Sequence, residues 1–589
     1  MLRYVVVISR DAAISPSAAD AFAPAGGRGW RLLFASQRCA VWIAVSGAAT
    51  LSGAPLPGGC VVGMTWKPPR HAAELTSAEG AFVGVHEDER DGAITVYRDP
   101  SGRIAAYRAE TDSAFLVGSH AEDLLACGCR GMVFDWDYLT FYVLNSFVPE
   151  RRTGIEGVKE ILPGETVRYA CGTAVTSLAW EPSQHYGRPF RHPGQAREAF
   201  RVAAETAAHA WAGGYSRVTL DLSGGLDSSI MLGLLASAPA RPEIICINFS
   251  TEHAESDERA FARQSAARHG ARLIERDLEH VLPNYRTAAP MPLQPRPTVA
   301  ALRIGFDAAA MEVTRELGAG AYFTGRGGDH LFFHSVPSEA AVDDLWVRKN
   351  ALTWLRSAYV AARLTGKPLM SVLGQAFAQP NARERRRNIV SGQNEFLVRD
   401  AVEALPLDDL THPWLMLAAR RAPPAKLIQV RNIIELQNHY NRVGRAELAD
   451  EAHPFISQPC LEAAMRTPTY FFADPQTKRR LQRETFKDLL PEAVYRRRTK
   501  GGTTSHVVRT LSRNIPYIRE LLLEGELVAR GVLDRGLLSA KLSPTSLLDG
   551  RHVASLVECL TVQMWLEQAR PCLEAARRAP EAARFSASS

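Results

Sequence analysis

Three regimes of hydrophobic patterning divide the 589-residue chain. Up to about residue 185, short apolar runs alternate with polar positions and are punctuated by Gly and Asp, as in Phe82-Val83-Gly84-Val85 and Ile94-Thr95-Val96-Tyr97. That is the pattern of β-strands joined by turns. From about 195 to 330, apolar stretches suited to buried strands (218–222, 244–249, 272–274, 322–324) alternate with helical patterns over 257–269 and 298–317. Such alternation predicts βα units on a parallel sheet. Beyond 335 the pattern is mostly helical. The opening Met1-Leu2-Arg3-Tyr4-Val5-Val6-Val7-Ile8 reads as a first strand, too short for the apolar core of a signal peptide. No charge occurs between Cys39 and Trp66, but Gly47, Gly53, Pro55 and Pro57 break that stretch into short strands and turns, so no membrane span is predicted. Residues from 579 onward read as a disordered tail.

Between the strand at 218–222 and a following helical pattern (Ile230, Met231, Leu234, Leu235) lies Leu222-Ser223-Gly224-Gly225-Leu226-Asp227-Ser228-Ser229. Glycines let the backbone approach a phosphate, and the amides of a helix's first turn point at it. Hydroxyls of Ser223, Ser228 and Ser229 add donors. Asp227 would repel phosphate directly and makes sense as a ligand of a bridging Mg²⁺. The loop resembles the SGGxDS pyrophosphate loop of ATP pyrophosphatases, which split ATP between its α and β phosphates. A capped βα turn would need only the Ser-Gly-Gly; the complete loop between strand and helix favours phosphate binding. The Walker pattern GxxxxGK[ST] does not occur in the chain.

Tyr322-Phe323-Thr324-Gly325-Arg326-Gly327-Gly328-Asp329 repeats this logic: a strand ends in glycines and presents a carboxylate. Ligands of open α/β sheets bind at the carboxyl ends of the strands, so Asp329 is expected to face the same cavity as Asp227 and to share the Mg²⁺. A third cluster, Lys478-Arg479-Arg480-Leu481-Gln482-Arg483-Glu484-Thr485-Phe486 followed by Arg496-Arg497-Arg498-Thr499-Lys500-Gly501-Gly502, reads by itself as surface charge. A lysine beside glycines is also what an acyl-adenylate enzyme needs, to hold the α-phosphate and stabilise an oxyanion.

Composition changes this picture little. With 46% hydrophobic and 22% charged residues the chain is an ordinary globular protein of two to four domains. A net charge of +6 suits an anionic ligand such as ATP and is too weak to argue for nucleic acid. The nine cysteines form no CxxC pair, and Cys127 and Cys129 lack a partner His pattern, so all read as reduced thiols of a cytoplasmic protein. The run 383–387 reads as a solvated basic face.

Together the three clusters resemble the synthetase domain of class B asparagine synthetase, as does Glu451-Ala452-His453-Pro454-Phe455, which is similar to that family's EARxPF segment. Gly80-Ala81-Phe82, the run Arg98-Asp99-Pro100-Ser101-Gly102-Arg103, and Ile155, Val158, Ile161, Pro163 and Gly164 resemble its glutaminase domain. The resemblance spans nearly the whole chain except roughly 335–430. It implies an α/β protein: a degenerate, β-rich glutaminase-like sandwich over 1–190, then a parallel-sheet ATP-pyrophosphatase domain over 191–575 with a helical insertion at about 335–430. It further implies ATP and Mg²⁺ as cofactors. Leu222, Ser223, Gly224, Gly225, Asp227, Ser228, Ile247 and Gly325 would bind the nucleotide, Asp227 and Asp329 the metal, and Lys500 would be catalytic.

Two departures bear on function. The family's glutaminase nucleophile is a cysteine directly after the initiator methionine; here that position is Leu2. And Arg326 replaces an acidic or tyrosyl residue used near the amine in relatives, so no general base is assigned. β-Lactam synthetases and lasso-peptide cyclases share the loss of the cysteine, and the Arg98–Gly102 run, the Arg-rich lysine loop and the long insertion look more like the cyclases. The expectation is a macrolactam synthetase acting on a ribosomal precursor peptide, with a leader peptidase and a leader-binding protein as partners. A small-molecule amide synthetase (β-lactam-like or ammonia-dependent) is the alternative, and a non-catalytic paralogue the third.

Overall fold

The computed structural model describes residues 2–10, 29–45, 51–66, 68–129, 132–146, 148, 150–250, 257–277, 282–287, 293–298, 304–334, 336–375, 384, 392, 394–407, 409–440, 449–472, 474, 477–498, 504–548 and 550–578. The N-terminal part forms two six-stranded antiparallel sheets. One runs Lys159–Glu160, Tyr107–Glu110, Ala114–Gly118, Leu2–Ser9, Cys39–Val45, Trp30–Ala35; the other Thr173–Leu178, Glu165–Ala170, Ile94–Arg98, Gly80–Glu87, Gly59–Thr65, Ser52–Leu56. The strand Leu2–Ser9 explains its own apolar run. Alternate side chains point to opposite faces: Tyr4, Val6 and Ile8 share a core with Val83, Val85 and Val96 of the second sheet. Val5 and Val7 pack on the other side with helical residues such as Leu139 and Trp565. Burial on both faces leaves no room for the polar alternation of a half-exposed strand.

The long helix Pro193–Ala212 leads into a five-stranded sheet, in the spatial order Arg272–Asp277, Glu243–Ser250, Arg217–Asp221, Ala321–Thr324, Asp450–Ala452, all parallel. The expected parallel sheet is present with shifted bounds: the strand placed at 272–274 runs on to Asp277, and the helix placed at 257–269 begins at Arg259. Of the helix placed at 298–317, Ile304–Leu317 is helical, and 299–303 lie outside the described residues. The strand Asp450–Ala452 has no apolar run to announce it. It exists because it pairs with Ala321–Phe323 and because the Leu51 amide and the Tyr215 hydroxyl both donate to Asp450 Oδ2, each at 2.9 Å.

Beyond 335 the chain is helical as expected, including Ala351–Thr365 and Pro424–Gln437. The terminal helix Val553–Arg578 packs on the N-terminal helix Trp136–Leu144; its Trp565 meets Phe134 edge-on and donates its indole N–H to the Gln294 carbonyl at 2.7 Å. The tail from 579, and the basic run 383–387 apart from Glu384, lie outside the described residues. Cys127 and Cys129 are buried, and burial pushes both thiols up to about 12. Among the described residues no group of three or more His, Cys, Asp or Glu is placed to hold a metal, and no helix is long and apolar enough to cross a membrane.

Candidate active site

The strand Arg217–Asp221 leads into the helix Leu226–Ala236, and the chain then adds strands on one side of it before crossing to Ala321–Thr324 on the other. The reversal makes the gap between these two neighbours a topological switch point, where loops splay apart and ligands bind. Both loops singled out in the sequence open there. The first is braced by its own side chains: Ser223 Oγ lies 3.1 Å from Ser228 Oγ and accepts from the Gly225 amide at 3.2 Å. The first helical hydrogen bond runs from the Ser229 amide to the Gly225 carbonyl. The amides of Leu226, Asp227 and Ser228 are therefore first-turn donors without intrahelical acceptors, the arrangement that favours anions. Gly224 sits at φ +81° against the Glu258 carbonyl, a conformation and an approach that a Cβ would not allow. Gly325 lets the second loop touch the first; a Cβ there would stand 2.5 Å from the Ser228 amide nitrogen.

The carboxylates of Asp227 and Asp329 meet on one guanidinium. Arg479 donates from Nη2 to Asp227 and from Nη1 to Asp329. Its side chain is 7% exposed, and its backbone takes the left-handed conformation at φ 59°, rare for a residue with a Cβ. Burial opposes the charge of Arg479, but the two carboxylates more than offset it and hold the guanidinium above its ordinary pKa. Gln482 Nε2 also donates to Asp227, at 2.6 Å, and His334 Nδ1 lies 3.5 Å from Asp329. Two carboxylates converging on a single cationic group form a donor set that suits a hard divalent ion, with phosphate oxygens and water completing the shell.

A cavity of about 500 Å³ opens over this cluster. Six basic side chains line it against four acidic ones, a balance suited to a polyphosphate. Ser223, Gly225, Asp227, Ser228, Gly325 and Asp329 face it. Leu222 and Ile247 are fully buried beside it, Ile247 in a cluster with Ala310, Val313 and Tyr322. Gly224 borders the cavity through its carbonyl, which accepts from Arg497 at 3.3 Å. Lys500 lies outside the described residues.

The surface-charge reading of the third cluster is corrected. Arg479, Arg483 and Arg497 are largely buried. Arg483 donates to the carbonyls of Lys478, Val494, Tyr495 and Arg497, and so ties down the segment that leads to Lys500. Arg497 pairs with Glu258 at 2.6 Å and lies over the Phe261 ring at 4.1 Å. Sequence reasoning missed Arg479 because a basic run on a helical pattern is usually solvated. Its only signal was the density of arginines, Arg479, Arg480 and Arg483, in the same cluster as Lys500.

The remaining motifs have structural settings. Arg98 is buried, donating to Glu160 at 2.6 Å and to the carbonyls of Gly102, Ile104 and Ile161. Arg103 reaches from the N-terminal sandwich to the Glu451 carbonyl at 2.6 Å. Arg326 Nη1 stands 4.0 Å from Glu451, whose carboxylate lies 3.4 Å from His453 Nε2, and His453 Nδ1 is 2.7 Å from Thr324 Oγ1. Leu2 is buried in the sandwich core.

A parallel sheet with glycine loops, first-turn amides and paired carboxylates at its switch point is an arrangement that suits a polyphosphate. The chain belongs to the asparagine synthase family, whose model matches residues 205–567. Members of this family are ATP-dependent ligases that form amides and release AMP, and the chain is such a ligase. The family uses ATP, typically with Mg²⁺. No curated protein matches the chain at a significant level. One solved structure with a match is described as that of the allosteric regulatory enzyme of purine biosynthesis. It is 9% identical, with 47% of this chain and 80% of that one covered, at a TM-score of 0.19, a superposition too loose to bear on fold or function.

Proposed function

We propose that the protein is a macrolactam synthetase. It adenylates an Asp or Glu side-chain carboxylate of a ribosomal precursor peptide and joins it to the peptide's N-terminal amine, giving a lasso peptide, AMP and pyrophosphate. The observation that carries the ligase chemistry is the meeting of Asp227 and Asp329, each in the first turn of a helix that follows one of two adjacent parallel strands, beneath a basic cavity of about 500 Å³. ATP lies with its phosphates over 223–229. Asp227 and Asp329 would hold Mg²⁺, which when bound neutralises charge on the leaving pyrophosphate. The substrate carboxylate oxygen attacks the α-phosphorus, and the bond between the α and β phosphates breaks. The amine then attacks the acyl carbon, AMP leaves, and the amine gives up a proton. Lys500 stabilises the charge on the reacting centre.

The reading of 1–190 as a catalytically silent scaffold and of 191–575 as the synthetase unit belongs to this proposal. It is supported by Leu2 in place of a nucleophilic thiol and by its burial in the sandwich core. An amine must then come from the acceptor itself, as it does in a cyclisation. The peptide specificity rests on the resemblance of the Arg98–Gly102 run, the lysine loop and the helical insertion to lasso-peptide cyclases. A leader peptidase and a leader-binding protein are the partners this reading calls for, and the cytoplasm its place.

The test is mass spectrometry of a precursor peptide encoded beside this gene, co-expressed with the protein and its processing protease, with Lys500→Ala as control. A core peptide lighter by one water, resistant to carboxypeptidase and absent in the control, is expected. An unmodified linear core would overturn the peptide reading and point to a small amino acid as substrate, screened by AMP release.

A further inference from the structure

Arg479 and a divalent cation require the same oxygens. Both terminal nitrogens of its guanidinium are spent on carboxylates, one on Asp227 and one on Asp329, and the side chain has almost no access to water. Arg479 is also held in place from behind, since its left-handed backbone opens the helix Arg480–Thr485, whose Gln482 holds Asp227 as well. A cation bound to these carboxylates would stand beside a buried guanidinium, and the two positive charges would repel each other while competing for the same oxygens.

We propose that Arg479 is a displaceable counter-cation: it competes with the divalent metal for Asp227 and Asp329 and is released to the phosphates when metal and nucleotide enter together. This rests on the reading of Asp227 and Asp329 as metal ligands. Metal binding alone must break two charge-assisted hydrogen bonds and leave a buried guanidinium without an acceptor, so it is weak. A polyphosphate in the same cavity, which Arg479 also lines, supplies new acceptors and removes that penalty. Metal and nucleotide are thereby coupled, each raising the affinity for the other by the same factor. The arrangement also keeps the two carboxylates close without mutual repulsion.

The experiment is calorimetric titration of the full-length protein with Mg²⁺ alone, and again in the presence of the α,β-methylene analogue of ATP, which cannot be cleaved at that bond. Wild type, Arg479→Gln, Arg479→Lys and Asp329→Asn are compared. Arg479→Gln is expected to bind Mg²⁺ alone on the order of tenfold more tightly than wild type, with less gain from the analogue. Its melting temperature without metal is expected to fall below wild type and to rise more on adding Mg²⁺. Arg479→Lys keeps one positive charge and should lie between them, and it carries the test if the glutamine variant does not fold. Unchanged affinity for Mg²⁺ alone in both Arg479 variants, with binding lost in Asp329→Asn, overturns the counter-cation while the ligand reading stands. Metal binding that survives Asp329→Asn with the analogue present overturns the ligand reading itself.

Discussion

Asp227 and Asp329 lie 102 positions apart in sequence, yet one guanidinium spans them. Neither acts by bulk or burial: each is a partly exposed carboxylate, and its value lies in where its oxygens point. Asp227→Asn or Asp329→Asn, which keep the shape and remove the charge, are each expected to lower AMP and pyrophosphate release on the order of a hundredfold or more. A quench-flow or coupled pyrophosphate assay checks this, with melting temperature as the control for folding. Glu150 is a carboxyl of a different kind. It is 1% exposed, and burial pushes its pKa up to about 8, against the smaller lowering effect of Arg152. The folded state thus holds a proton that the unfolded chain gives up near 4.5. Its contribution to stability is present at low pH and is lost as pH rises through that window toward 8. Glu150→Gln should therefore flatten the fall in melting temperature between pH 5 and 8, as read by calorimetry; an unchanged slope would place the proton elsewhere.

At the scale of elements, the site is made by two strand ends that almost touch. Gly325 is the point of contact. Gly325→Ala forces a Cβ to within 2.5 Å of the Ser228 backbone nitrogen, an overpacking that costs about 1–3 kcal/mol. It is expected to reduce nucleotide binding more than it reduces the melting temperature, which titration with the same ATP analogue measures. The three central parallel strands were legible in sequence because they are buried on both faces and so read as apolar runs, whereas the edge strand Arg272–Asp277 showed only its Leu273-Ile274 pair. The fifth was not. Asp450–Ala452 carries two acids in three residues, and what makes it a strand is a neighbour 129 residues earlier, with Asp450 held by groups from the sandwich and the approach to the sheet. Arg483 was equally hidden, because its acceptors are backbone carbonyls, which leave no mark on the sequence.

For the whole molecule, the first and last described elements share one apolar cluster: Val5 and Val7 of Leu2–Ser9 and Trp565 of Val553–Arg578 belong to it, with the helix Trp136–Leu144 packed against the terminal helix. The sandwich therefore completes the core of the remainder, and Arg103 and Leu51 reach from it into the strand beside the site. Trp565→Ala is expected to destabilise the protein by about 3–5 kcal/mol, seen as a lower melting temperature in a single transition. Two separated transitions would show instead that sandwich and synthetase sheet unfold independently.

The sequence by itself determined the order of layers and the local build of the loops: a strand-glycine-helix loop with its carboxylate, a second loop of the same build, and an apolar rhythm that changes from antiparallel to parallel. These are local properties, set by neighbours within a few positions. Tertiary structure alone decided that the two carboxylates share a guanidinium, that three arginines of a seemingly solvated run are buried, and that an acidic tripeptide closes the sheet. Each of those depends on partners far away along the chain, and a charge acquires its role from what stands opposite it in space.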